Sequence, residues 1–127
     1  MNSVGWFELY VQDMARARAF YEAVFQAKLE PLVVPGDAAA GGLEMLQFSG
    51  DMDAYGANGA LCRMPGVPSG PGGTLVYFGC ADCGETSTRI EPAGGRIHRP
   101  KMAIGEYGFI VLAFDTEGNM IGLHSMA

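Results

Sequence analysis

Apolar and polar positions alternate over residues 4–11, where the polar Glu8 stands between aromatic and aliphatic neighbours. Such alternation is typical of a β-strand that has one covered face. Over residues 14–25 the apolar side chains recur at helical spacing, and Asp13 is placed to cap the first backbone amides. The pattern therefore predicts a strand followed by an amphipathic helix.

The same order of elements occurs twice along the chain. Gly-rich breaks separate three further short strands in the first half, and the segment 65–73 (PGVPSGPGG) is too rich in Pro and Gly to be anything but a connector. A strand, a weaker helix and three more strands follow the connector. The predicted elements after the first helix are strands at 29–34, 43–49 and 60–64, then strand 74–80, helix 83–93, and strands 96–98, 107–114 and 120–124.

Aligning the halves on Asp13 and Asp82 places Pro31 opposite Pro100, each eighteen residues beyond its Asp. Self-similarity over a whole half indicates a duplicated unit. We therefore predict an α+β fold in which two βαβββ modules form a curved mixed sheet around a cleft. The single domain spans 1–127, with module one at 1–64, the linker at 65–73 and module two at 74–127.

The alternation also predicts which side chains share a face of each first strand, because successive strand side chains point in opposite directions. One set is expected to pack beneath the helices: Phe7, Leu9, Val11, Val76, Phe78 and Cys80. The other set is expected to share an open face: Trp6, Glu8, Tyr10, Leu75, Tyr77 and Gly79. A cleft between two open faces is a natural place for a small-molecule ligand.

Charge and cysteine content narrow the function further. The chain carries 8 basic and 14 acidic residues, for a formal charge of -6 and a pI near 4.7, and it has no run of Lys or Arg. Nucleic acid and membranes are therefore not expected as partners. Three cysteines, an odd number, in a chain without an evident secretory leader indicate a reducing environment, and we predict a cytoplasmic protein.

Three segments carry a resemblance to a known family: WFELYVQDMARARAFYEAVF, GGTLVYFGCAD and AFDTEGNMIGLHS. They resemble the vicinal oxygen chelate superfamily, which includes glyoxalase I, bleomycin-resistance proteins and extradiol dioxygenases. The pair of motifs that carries most of the likeness consists of Asp13, Phe20 and Tyr21 in the first helix and Asp115, Gly118 and Asn119 near the end. The resemblance implies paired βαβββ modules, a ligand site inside the sheet and a homodimer. It implies no particular activity, because one fold serves several chemistries.

The chain departs from this family where its metal ligands stand. Metal-binding relatives place a His where this chain has Trp6, a His or Gln near Leu75, and a Glu where it has Gly122. The remaining ligand falls within 60–62, where only Cys62 could bind a metal. Indole, isobutyl and hydrogen side chains offer no lone pair to a divalent ion. We therefore predict no metal site of the family type and no cofactor.

Glu8 is the candidate catalytic residue. A carboxylate within an aromatic strand is costly unless it is used or paired, and in a partly dry cleft it could act as a general base. The alternative is a structural Glu that pairs with a residue such as Arg63 or lies in a dimer interface. The sequence leaves both interpretations open.

Six further residues are predicted to contact a ligand: Trp6, Tyr10, Tyr77, Tyr107, Met120 and His124. Two functions remain open. The chain is either a glyoxalase-like lyase or isomerase that uses Glu8 as base and tyrosine hydroxyls as donors to a carbonyl, or a non-catalytic binder of a small molecule. Binding makes the smaller demand, because catalysis without a metal has to replace Lewis-acid stabilisation of several kcal/mol.

Three other features have functional and structural interpretations. Cys80 and Cys83 form a C-x-x-C sequence, but the repeat gives Cys80 a core position like that of Val11. The basic residues Arg96, Arg99 and Lys101 could meet an anion, although charges that protect a sheet edge are the simpler account. The Gly-rich segments 36–42 and 51–59 could act as lids, but most such loops only connect elements.

Overall fold

The structure is a computed structural model that describes residues 2, 4–34, 36–51 and 53–127. The first half contains six elements: β1 (Trp6–Tyr10), α1 (Met14–Phe25), β2 (Glu30–Pro31), α2 (Gly36–Ala40), β3 (Glu44–Gln47) and β4 (Asn58–Arg63). The second half contains β5 (Val76–Gly79), α3 (Cys83–Ser87), β6 (Arg96–Ala103), a single 3-10 turn (Gly105–Tyr107), β7 (Phe109–Phe114) and β8 (Met120–Ser125).

The two halves form four-stranded sheets of the same topology. Their strand orders are β1-β4-β3-β2 and β5-β8-β7-β6. In each sheet the first strand pairs parallel with the last, and the other pairs are antiparallel. This arrangement confirms the predicted α+β fold of two βαβββ units.

Both aspartates used to align the halves cap a helix. The Asp13 carboxylate accepts a hydrogen bond from the Arg16 amide at 3.0 Å. The Asp82 carboxylate accepts from the Gly84 and Glu85 amides at 2.9 and 3.4 Å. Each cap satisfies amides that have no partner within the helix, so the repeat in the sequence reflects a repeated local interaction.

An aromatic cluster joins the core faces of the two sheets. The Phe78 ring of β5 lies 5.9 Å from the Phe7 ring of β1, 4.7 Å from Phe25 on α1 and 5.5 Å from Phe48 after β3. Tyr21, fully buried on α1, lies 5.8 Å from the same ring. These contacts confirm the core positions predicted for Phe7 and Phe78 and place β1 beside β5.

The loop between β7 and β8 ties the second half to the first. The buried Asp115 carboxylate accepts a hydrogen bond from the Tyr21 hydroxyl at 2.7 Å. The Asn119 amide group donates to the Tyr10 carbonyl at 2.8 Å. The segment DTEGN is thus the predicted turn between β7 and β8 and also a joint between the modules.

Most predicted elements differ from the structure in their bounds, and three differences concern α3, β6 and α2. Helix α3 ends at Ser87 and continues as turns, since Thr86 and Thr88 are weak helix formers. Strand β6 continues through Pro100 to Ala103, which is possible because β6 is an edge strand whose register shifts near this proline. The Ala-rich segment after residue 35 forms the short helix α2. None of the helices within the described residues has the length and apolarity needed to cross a bilayer.

Candidate functional site

The uncovered sheet surface at β1 and β5 carries the predicted open face. Strand register puts Glu8 beside Ala60 of β4 and Tyr77 beside Gly122 of β8. Paired residues in a sheet project to the same side, so these short residues leave room beside the two long ones.

A groove of about 520 Å³ lies between β1 and β5, and we call it the β1–β5 groove. Trp6, Glu8, Leu75 and Tyr77 are among its lining residues. Trp6 and Tyr77 are 40% and 45% exposed, which is high for aromatic side chains of this size. The structure therefore brings together, from the two halves, side chains that the alternation pattern assigns to one face.

Glu8 is exposed, in contrast to the partly dry position expected from its apolar neighbours. No element of the described chain covers the open face at this point. The Trp6 indole N–H donates to one Glu8 oxygen at 3.2 Å, and the Tyr10 hydroxyl donates to the other at 3.0 Å. Both flanking aromatic side chains therefore orient the carboxylate.

Arg63 does not pair with Glu8. Its guanidinium instead donates to the Glu44 carboxylate at 3.1 Å and to the Gln12 carbonyl at 3.0 Å. The intrachain structural partner considered for Glu8 is thus engaged elsewhere.

The Glu8 carboxylate affects the titration of two neighbours. Burial, followed by the hydrogen bond to Glu8 and the charge of Glu8, raises the pKa of Tyr10. Burial, with a further contribution from the Glu8 charge, raises the pKa of the Cys62 thiol to about 12. Cys62 is fully buried, so near neutral pH it is a protonated thiol and a poor metal ligand.

A second, smaller groove of about 180 Å³ extends from Glu8 and Tyr10 towards Met120 and the linker. Hydrogen bonds between side chains and backbone groups hold the linker in this position. The Ser69 hydroxyl donates to the Glu117 carbonyl at 2.8 Å, and the Gly70 amide donates to Asn119 Oδ1 at 2.8 Å. Pro68, Ser69, Gly70 and Gly72 thus form a wall of this groove beside the predicted ligand residues Tyr10 and Met120.

His124 lies in a third groove of about 510 Å³, with Tyr77, Tyr55, Ile104 and Ile110 in its lining. Its Nε2 lies 2.6 Å from the Tyr107 carbonyl oxygen. Since a carbonyl oxygen can only accept, Nε2 carries the hydrogen and Nδ1 is the ring nitrogen outside this contact.

Tyr107 and Tyr55 differ from the sequence expectation. Tyr107 lies on the 3-10 turn with its side chain 67% exposed, and the contact it makes to His124 uses its backbone carbonyl. Tyr55, which the sequence pattern did not single out, lines the groove at His124 although it is 99% exposed. Its only sequence signal is an aromatic residue within a Gly-rich loop.

The residues at the family's metal positions do not fit a divalent ion. At the positions that the family resemblance implies, Trp6, Leu75 and Gly122 supply no oxygen, sulfur or basic nitrogen ligand. Within 60–62 the one residue that could bind a metal is Cys62, a buried thiol whose pKa is raised to about 12. The structure also has no room for a longer side chain at Gly122, because an added Cβ atom would lie 2.3 Å from the Tyr77 ring. In the described part of the chain, no three His, Cys, Asp or Glu side chains are grouped closely enough to hold a metal.

The cysteines and the basic edge have structural environments. Cys83 is fully buried, and burial raises the pKa of the Cys80 thiol, whose sulfur lies 3.5 Å from the His124 carbonyl oxygen. On β6, the Arg96 guanidinium lies 4.7 Å from the Phe114 ring centroid, and Lys101 pairs with Asp82 at 2.9 Å. These contacts favour a core role for the thiols and a protective role for the charges at the sheet edge.

Comparisons with known proteins agree with this geometry. The family model for the glyoxalase/bleomycin resistance protein/dioxygenase superfamily matches residues 3–123. The curated protein "Putative glyoxylase CFP32", from Mycobacterium bovis and Mycobacterium tuberculosis, is 28% identical over 120 residues, which are 93% of this chain and 43% of that protein. The chain thus spans less than half the length of these relatives.

Two solved structures show the same fold. A glyoxalase family protein from Bacillus cereus superposes with a TM-score of 0.70 at 18% identity, covering 96% of this chain and 92% of that one. Glyoxalase I from Zea mays superposes with a TM-score of 0.70 at 20% identity, covering 95% of this chain and 45% of that one.

Proposed function

The chain belongs to the glyoxalase/bleomycin resistance protein/dioxygenase superfamily, and from the lining of its open face we propose that it binds a small organic molecule without the family's metal. The carrying observation is the β1–β5 groove, in which Trp6, Glu8 and Tyr77 from both halves border one open volume. Aromatic walls with a few fixed polar groups are characteristic of small-molecule sites.

Binding suits this site better than metal-assisted chemistry. A Lewis acid would need electron-pair donors at the positions of Trp6, Leu75 and Gly122 and within 60–62. The first three side chains supply no such donor, and the remaining candidate, Cys62, is a buried thiol with a raised pKa. The Tyr10 hydroxyl is already committed to Glu8, which leaves Tyr77 as the tyrosine of the groove that is available to a ligand carbonyl. A homodimer and a cytoplasmic location remain predictions from the family resemblance and from the cysteine count.

The proposal can be tested directly because Trp6 is the single tryptophan of the chain. Its fluorescence and its indole N–H resonance report on the groove without any label. Screening a library of small aromatic and apolar molecules should yield compounds that change both signals and raise the melting temperature. Adding or chelating divalent metal should leave these effects unchanged.

A matched variant for the screen is Gly122→Ala. The new methyl group would require the Tyr77 ring to move, and this ring is exposed enough to swing outward at little cost in stability. Bound compounds should then lose about tenfold in affinity while the melting temperature of the free protein changes little. Unchanged affinity, an absence of compounds that perturb Trp6, or more than about half an equivalent of tightly held metal per chain would contradict the proposal.

A second candidate function is proton transfer by Glu8. The observation that favours it is a carboxylate that borders the groove and is oriented on both oxygens, with no Lys or Arg paired to it among the described ion pairs. In this case Tyr77 would donate to a substrate oxygen while Glu8 removes a proton from the adjacent carbon.

Glu8→Gln separates the two roles. If Glu8 is a base, kcat should fall by about a hundredfold or more with KM nearly unchanged, because the amide keeps the shape but takes up no proton. A rise in KM or Kd without loss of kcat would assign Glu8 to binding alone. Glu44→Gln, which removes an exposed carboxylate outside the groove, is the control and should change neither value.

A further inference from the structure

The charge of the β1–β5 groove is unbalanced. Of the described residues that line it, Glu8 alone carries a charge. Glu8 is also the one charged residue in the described lining of the adjoining groove that reaches Met120. A ligand that enters either groove therefore meets a carboxylate and, within the described lining, no protein cation.

All eight Lys and Arg side chains have contacts with groups other than Glu8. Six of the eight Lys and Arg side chains form ion pairs with carboxylates other than Glu8. Of the other two, Arg96 lies over the Phe114 ring and Arg99 contacts the Met102 sulfur. While these contacts are kept, no Lys or Arg side chain is paired with Glu8.

The Glu8 carboxylate is oriented by its neighbours and still has acceptor sites for a ligand. The Trp6 indole N–H and the Tyr10 hydroxyl each bond a different oxygen, at 3.2 and 3.0 Å. An ionised carboxylate has about four acceptor sites on its two oxygens, so each oxygen can still accept from a ligand. The two flanking bonds limit the conformational entropy that Glu8 would lose when it binds that ligand.

Aromatic rings lie next to Glu8 in the groove, and they affect which ligand charge is favoured there. Trp6 and Tyr77 border the β1–β5 groove and keep about two fifths of their surface exposed. The faces of indole and phenol rings attract cations, while anions are repelled by the same faces. The raised pKa values of Tyr10 and Cys62 agree with a negative potential here, since in each case burial acts first and the Glu8 charge adds to it.

We infer that the preferred ligand of this groove is an organic cation, in which an ammonium or guanidinium group is carried on an aromatic or apolar body. The cationic group pairs with Glu8, and the body lies against Trp6, Tyr77 and Leu75. This inference rests on the proposed binding function and names the charge class of its ligand.

Three probes of similar size and different charge test it: 2-phenylethylamine, 2-phenylethanol and phenylacetate. Their affinities are measured by titrating the fluorescence and the indole N–H resonance of Trp6. The amine should bind about tenfold more tightly than the alcohol, and phenylacetate should bind most weakly. Added salt should weaken the binding of the amine and leave the binding of the alcohol unchanged, because salt screens only the ionic contact.

Glu8→Gln and Glu44→Gln form the matched pair of variants. Glu8→Gln should lower the affinity for the amine to that for the alcohol. Glu44→Gln should leave the relative affinities of the three probes as they are in the wild type. Because Glu8 is exposed, the first variant should fold normally, which an unchanged circular dichroism spectrum would verify.

Equal or tighter binding of the alcohol or of phenylacetate would overturn the cation inference and leave the binding function standing. Lack of response to all three probes would also overturn it. In that event the broader library screen decides the proposed function separately.

Discussion

Replacing Glu117 with Gln is expected to lower the free energy of unfolding by about 3 kcal/mol near neutral pH. The Glu117 side chain is fully buried, and its carboxylate accepts hydrogen bonds from the Gln12 and Asp13 amides at 2.9 Å each. Arg16 adds two bonds, at 2.8 and 3.0 Å. An amide group would turn a donor towards these donors and leave part of them without an acceptor.

The Glu117 carboxylate should also make the free energy of unfolding depend on pH. Burial alone would raise the pKa of Glu117, but the hydrogen bonds that its carboxylate accepts from Arg16 and from the backbone together outweigh burial and lower this pKa from 4.5 to about 2. The native state therefore binds fewer protons than the unfolded chain between these values, so its contribution to stability is complete above about pH 4.5 and is lost as the pH falls towards 2.

Urea denaturation of the wild type and of Glu117→Gln at several pH values measures both effects. The difference between the two proteins should be largest near neutral pH and should shrink below the ordinary pKa of a glutamate. Glu44→Gln removes an exposed ion pair and should cost no more than about 1 kcal/mol. If the two variants were equally stable at neutral pH, the role assigned to Glu117 would be wrong.

Replacing Gly108 with Ala is expected to cost about 3 kcal/mol or more. Gly108 follows the 3-10 turn with φ of 98° and ψ of -132°, a conformation that side chains disfavour. A Cβ atom at this position would lie 2.3 Å from the Ser125 carbonyl oxygen, which is a backbone atom and cannot swing aside. Relief would require β7 and β8 to shift at the pair formed by Phe109 and Ser125.

Gly105→Ala is the matched control for this prediction. Gly105 also has a positive φ, of 68°, but a Cβ atom added there would have no atom of the described residues beyond its chain neighbours within 4 Å. The substitution should cost only the conformational penalty of about 1 kcal/mol. Equal costs for the two alanines, measured by urea denaturation, would show that the close approach of the Ser125 carbonyl contributes nothing.

The fold was largely predictable from local patterns. Alternation in β1 and β5 placed Leu9, Val11, Phe78 and Cys80 in or against the core and Trp6, Glu8 and Tyr77 in the groove, whereas Val76, expected in the core, also lines the groove. The aspartates at the two helix starts revealed the duplication. These signals are readable because a strand or helix repeats its environment every two or every three to four residues. The end of β6 was missed because a proline is tolerated only where the strand lies at a sheet edge, and strand order is a tertiary property. The end of α3 was missed although the weak helix propensity of Thr86 and Thr88 is a local signal.

The candidate site was predictable only in part. Sequence alone placed Trp6, Glu8 and Tyr77 on one face and indicated that the family's metal ligands are missing. It did not indicate that Glu8 is exposed and held by its two aromatic neighbours, or that the Tyr77 ring occupies the space beside Gly122. Both facts depend on which side chains meet across strands.

By itself, then, the sequence determined the duplicated fold and most of the two faces of each first strand, and through the family resemblance it predicted that the family's metal ligands are missing. The tertiary structure decided the exposure of Glu8, the hydrogen on His124 Nε2 and the joint formed by Glu117. Periodicity and capping act within one element, whereas Glu117 meets Gln12 across 105 positions of chain. Such a contact forms only when the two modules pack together, so no local sequence pattern predicts it.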